Sequence, residues 1–179
     1  MNLFYLDDDF EKNAEYHIDK HVAKMVLETM EMICMAHYVN KVVGHVPRKL
    51  EKDEYVEVCQ YKNQFRSTPP ENREIPYIGR DAHLNHPSTV WVRSSFGNYE
   101  WAWCYAYALE HERRFRNPNG VSCHKAIRLG ETLPDLKIPS TGLTPFALAM
   151  GALRDKYPWL VDGNCLLYTS DAADEAKCG

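Results

Sequence analysis

Residues 11–38 constrain the fold more than any other stretch. Ile18, Val22, Met25, Val26, Thr29, Ile33 and Ala36 recur there at spacings of three and four. That period belongs to one face of a long α-helix. Asp7, Asp8 and Asp9 precede it and supply carboxylates suited to a helix N-terminus and its dipole. A second long helical region is predicted over 88–116, opened by Pro87 and Ser88, with a break at Gly97 and with Asn98 as the cap of its second part. Trp91, Phe96, Tyr99, Trp101, Trp103, Tyr105, Tyr107 and Phe115 cover more than one face of it, which marks it as the central helix. Shorter helices are expected over 49–65, 121–130 and 145–157, with a loop at 66–88 and a Pro/Gly-rich connector at 134–145. Alternating apolar runs are few. The fold expected is therefore all-α: a single domain, residues 1–164, built as a bundle of about four to five helices with a long loop excursion.

Composition narrows the class further. At 179 residues, 45% apolar and 26% charged, the chain is an ordinary globular domain, not a disordered, collagenous or coiled-coil one. Its apolar runs fall far short of the roughly 20 residues that span a bilayer. The acidic start MNLFYLDDDFEKN is not a secretory signal. No membrane partner is expected, and the location expected is cytoplasmic, in the host cell if the gene is a phage's. The six cysteines include no CxxC pair and read as free thiols in a reducing compartment. The net charge of −4 is unevenly spread: residues 1–35 carry three Lys and eight Asp/Glu, residues 76–130 seven Lys/Arg and four Asp/Glu. A local basic face is compatible with this; a global one is not.

Residues 165–179 read as foreign to the fold. The stretch from Cys165 to Glu175, CLLYTSDAADE, resembles a translated transposase-end sequencing adaptor. The expectation is a domain truncated after about Asn164, with a tail that makes few native contacts.

Several constellations carry chemistry. On the first helix, His17, His21, Lys24 and Glu28 fall within about 60° of arc, with Lys20 at its edge. A solvated face with a Lys24–Glu28 pair is the bland account, but histidine is a poor choice for a plain solvent face. His17 and His21 also have the i, i+4 spacing of two metal ligands on a helix, and His86 or His83 can supply a third. Asn85-His86-Pro87 at a helix start places an amide and an imidazole beside exposed backbone N–H groups, a natural phosphate site, with Arg93 one to two turns on as a clamp. His124 and Lys125, near Arg113, Arg114, Arg116 and Arg128, form the most basic stretch. The expectation is that His21, Lys24, Glu28, His86 and His124 line one polar cleft with Arg93 at its rim.

The run Tyr16-His17-Ile18-Asp19-Lys20-His21-Val22-Ala23-Lys24-Met25-Val26-Leu27-Glu28 resembles the CDKHVVKMILE signature of a family of small phage and bacterial proteins. The blocks Asn85 to Arg93, Asn98-Tyr99-Glu100-Trp101, Cys123-His124-Lys125 and Pro145 to Met150 follow in the same order. The family is associated with pyrimidine-dimer DNA glycosylases of the phage endonuclease V type, which are small all-α enzymes. That resemblance implies an N-terminal amine nucleophile and a glutamate acid/base. This chain departs at Met1-Asn2, where the Met is normally kept, and over 40–75, which is longer than the family's usual link. The function expected is a phage-type DNA-acting enzyme, a base-excision N-glycosylase on damaged or modified pyrimidines. Its nucleophile would be the amine of Lys24 or Lys20, its proton carrier Glu28. His17 and His21 would stand beside them, and Asn85, His86, Arg93, His124 and Lys125 would hold phosphates. DNA or a nucleotide is the partner, and no cofactor is expected. The alternatives are a metal-dependent phosphoester hydrolase using His17, His21 and His86, and a non-catalytic phage accessory protein that binds a nucleotide or a protein.

Overall fold

The computed structural model describes residues 3–79, 83–119 and 122–146. Among them stand six α-helices and no strand: α1 (Phe10–Glu15), α2 (Asp19–Val42), α3 (Lys52–Gln64), α4 (Pro87–Val92), α5 (Phe96–Arg116) and α6 (Lys125–Gly130). The all-α expectation holds, and three of the helices are long. Of the helix expected over 145–157 only residues 145 and 146 are described, and its remainder and the tail 165–179 lie outside the described residues.

The first long helix is divided, and a side chain divides it. In a continuous helix the Asn13 carbonyl would accept the backbone N–H of His17. Instead it accepts the His17 ring Nδ1–H at 2.7 Å, and the His17 backbone turns to the Ala14 carbonyl at 3.2 Å. α1 therefore ends at Glu15, capped at its start by Asp9, whose carboxylate takes the amides of Glu11 and Lys12. The carbonyls of Glu15 and His17 at the break are taken by the Arg116 guanidinium from the end of α5, which also meets Asp19 and Glu112.

α2 is the central element, in place of the aromatic helix the sequence suggests. It packs on α3, α4, α5 and α6. Every residue from Met32 to Val39 is buried, so its second half is enclosed all round. α5 keeps Cys104, Tyr107 and His111 on an exposed face. Its buried face carries Trp101, Ala102, Tyr105, Ala106 and Leu109. As the sequence suggests, Trp91 and Trp101 are core residues. Their rings meet edge to face at 5.7 Å, with Phe10 of α1 and Tyr5 of the N-terminal arm against Trp101.

The break in the 88–116 region falls at 93–95, ahead of Gly97. Ser95 caps α5 by accepting the Asn98 amide. Asn98 is no cap: its buried amide donates to the Trp91 carbonyl and the Thr144 hydroxyl, and its oxygen accepts the Thr144 amide. It ties α4, α5 and the connector into one joint. Gly97 belongs to that joint too, because a Cβ there would lie 2.4 Å from the Gly142 backbone.

The long excursion between α3 and α4 is held by side chains. Cys34 and Tyr38 of α2 donate to the carbonyls of Pro76 and Ile75, at 2.9 and 3.1 Å. Lys62 of α3, buried, donates to the Gly79 carbonyl at 3.0 Å.

Candidate functional site

The polar face of α2 survives as a site only in part. His17 precedes the helix and is buried. Its Nδ1–H is spent on Asn13, so its Nε2 accepts, and the Tyr105 hydroxyl donates to it at 2.8 Å. Burial lowers its basicity, so it stands as a neutral ring with both nitrogens occupied. It has no lone pair left for a metal.

His21, one turn on, is partly exposed and lies flat on the Phe4 ring, with centroids 5.4 Å apart and planes 8° from parallel. Phe4 meets His17 edge-on at 5.6 Å. Lys24 and Glu28 form the i, i+4 ion pair the sequence suggests, 3.5 Å apart, with Lys24 half exposed and the Glu28 side chain only 14% exposed. The Glu28 charge is felt at both Tyr105 and His86. His21, Lys24 and Glu28 follow one another on this face of α2, Phe4, Tyr105 and His17 pack beside His21, and the Glu28 charge reaches His86.

His86 is the N-cap of α4. Its Nδ1 accepts the Ser88 amide at 3.2 Å. Burial pushes its pKa down to about 4, so near neutral pH the ring is uncharged and its single proton sits on Nε2 as a donor.

Asn85 and Arg93 are built into the scaffold and do not present themselves to a phosphate. The Asn85 side chain forms a two-way bridge with the Leu50 backbone, accepting its N–H at 2.6 Å and donating to its carbonyl at 2.9 Å. Arg93 is 2% exposed and donates to three backbone carbonyls, those of Val46, Leu84 and Arg48. Burial lowers its pKa to about 10, still far above neutrality, so it remains a cation. Arg93 pins the 46–48 turn and residue 84 to α4, and it is not the rim of a cleft.

His124 repeats the His86 geometry at the start of α6, with Nδ1 accepting the Ala126 amide at 3.2 Å. Its surroundings differ. Its backbone N–H goes to Glu110, which Arg113 holds through two hydrogen bonds. Burial alone would raise the Glu110 pKa; Arg113 and the His124 amide reverse that and leave it lowered. α6 packs on α2 through Gly130 against Met30. Met30 and Glu28 point about 200° apart on the helix, so Gly130 packs on a face of α2 away from Glu28. The hydrogen bonds of His124 described above go to Glu110 and to the start of its own helix. Lys125 is exposed.

Among the described residues, no three His, Cys, Asp or Glu side chains stand together as metal ligands. Cys34, Cys59, Cys104 and Cys123 are free thiols. No helix of the described residues is long and apolar enough to cross a membrane.

Three residues of this neighbourhood do not stand out in the sequence: Phe4, Tyr105 and Arg116. The Asn13–His17 spacing at a helix end is the signal that points to the break. Nothing local distinguishes Tyr105 from the other aromatics of α5, because its partner lies 88 residues away. No protein-family model, curated protein or solved structure matches this chain.

Proposed function

We propose that the chain acts on DNA and cleaves the bond between a damaged or modified pyrimidine and its sugar, with the Glu28 flank of α2 as the reacting site. The observation that carries this reading is the Lys24–Glu28 pair: a mostly shielded carboxylate and a half-exposed amine on adjacent turns, with the charge of the carboxylate reaching the neutral His86 ring. Cleavage of a base–sugar bond develops positive charge on the sugar, and a carboxylate in a shielded position stabilises that charge or takes a proton from the attacking group. Lys24 supplies an amine that can capture the sugar carbon once its proton passes to Glu28. His86 offers an Nε2–H to the departing base. A base reached in this way must leave the duplex stack. The family resemblance of the α2 run and of the Asn85–Arg93 block supports the same chemistry. The metal-dependent hydrolase is the weaker reading, because His17 has both ring nitrogens engaged and His86 has one.

The test is base release from duplex oligonucleotides carrying a cyclobutane pyrimidine dimer or an oxidised pyrimidine, with borohydride added in parallel. Release by the unaltered chain, its loss in Glu28→Gln, and a borohydride-trapped adduct that disappears in Lys24→Ala are expected. Release without a trapped adduct assigns attack to water activated by Glu28. No release from any of these duplexes overturns the proposal.

A further inference from the structure

We infer that His17 is a positioning residue for the Glu28 flank: it holds the Phe4 ring flat against His21 and so sets the direction in which His21 faces a ligand. This rests on the reading of that flank as the reacting site. Four contacts make the chain of action. Asn13 fixes one ring nitrogen of His17 at 2.7 Å, and Tyr105 of α5 fixes the other at 2.8 Å. The imidazole is therefore clamped between two helices. Phe4 meets that clamped ring edge to face, with the planes 78° apart and the centroids 5.6 Å apart. The same Phe4 ring then lies within 8° of parallel to His21.

The arm that carries Phe4 has a second tie to the clamp, since Asn13 also accepts the Leu6 amide through its side chain, at 3.3 Å. Arm, α1 and α5 all meet at His17; Phe4, Asn13, His17 and Tyr105 are buried, and His21 is partly exposed. A stacked imidazole loses its freedom to rotate about χ2, so the stack determines where its ring nitrogens point. His17 acts on a ligand only through Phe4 and His21, and it is not itself a catalytic residue.

The test reads the carbon-bound ring protons of His21 by proton–carbon NMR of the full chain. Stacking on Phe4 displaces them upfield of a free imidazole. The displacement is expected in the unaltered chain and in His17→Gln, whose side-chain oxygen still accepts from Tyr105. It is expected to vanish in His17→Ala and in Phe4→Leu. A displacement that persists in a folded His17→Ala overturns the inference. If His17→Ala does not fold, Tyr105→Phe decides: it removes only the hydroxyl, and an unchanged His21 signal there overturns the inference equally. Base release is measured on the same variants. A chain that shows the stacking signature but releases no base overturns the reading of the site and leaves the positioning role standing. A chain that releases base, loses rate in His17→Ala and regains it in His17→Gln supports both.

Discussion

His86 and His124 each open a six-residue helix, and in each the ring Nδ1 accepts the second amide of that helix at 3.2 Å. The local device is the same. The neighbourhoods are not. His86 stands within the field of Glu28, a carboxylate on a partly open flank. His124 stands beside Glu110, a carboxylate already closed by Arg113 and by the His124 backbone itself. A histidine at a helix start is first a cap. The same cap thus stands in two different electrostatic settings.

Breaking the scaffold on the His86 side has the largest expected effect. Arg93→Met leaves three carbonyls without their donor, and unmet buried acceptors cost about 1–3 kcal/mol each. A loss of about 3–5 kcal/mol is expected in urea denaturation, with residue 84 and the 46–48 turn released. Breaking the His124 side is expected to cost less. Glu110→Gln removes the charge that Arg113 and His124 share, at about 1.5–3 kcal/mol by the same measurement.

The caps themselves come next. His86→Ala and His124→Ala should each cost about 1 kcal/mol, whereas His86→Asn and His124→Asn should be close to neutral, since Asn caps as well. Activity sharpens the contrast: His86→Asn keeps the cap and discards the Nε2–H, so base release should fall, while His124→Asn should leave it unchanged. A fall in both would return His124 to the site.

Acid should affect both caps in the same direction. The folded-state pKa of each is lowered, chiefly by burial, to about 4 for His86. The unfolded chain then binds more protons than the folded one once the pH is below the ordinary histidine value. Stability is complete above about pH 6.5 and falls as the pH drops from there toward about 4, by at most about 1.4 kcal/mol per pH unit for each histidine. His17 and His37 are lowered in the same sense and add to the slope. Urea midpoints across this range should flatten in His86→Asn. The smallest effect expected is that of Lys125→Ala, an exposed position, within about 0.5 kcal/mol.

The parts of the molecule legible in the sequence are those whose cause is local. The period of Val22, Met25, Val26, Thr29, Ile33 and Ala36 marks the buried face of α2, and the Lys24–Glu28 pair follows from spacing alone. The cap at His86 is written in Asn85-His86-Pro87. Ile18 fits the same period yet is 54% exposed, because the break at His17 puts it outside the helix. That break depends on Tyr105 and Arg116, brought in from far along the chain. Arg93 misleads for a similar reason. Its charge and spacing are those of an anion clamp, but three carbonyls from two stretches of backbone arrive to claim it, and residue type alone does not record how many carbonyls the fold leaves in want of a donor.

The way the long excursion is fastened has a consequence for the order of folding. Its carbonyls are met by Cys34, Tyr38 and Lys62, and those of the 46–48 turn by Arg93, across separations of 17 to 47 residues. None of these fastenings exists until α2, α3 and α4 have formed and come together. The expected order is helices early and excursion late, because the excursion's fastenings are all long-range. Its length is a weak constraint, because closing a longer loop costs only a logarithmic increment in entropy. Residues inserted between Phe65 and Asn72 should slow the last step of folding a little and leave the finished molecule much as it is. Replacing Arg93 leaves the spacing intact and the carbonyls of the 46–48 turn bare.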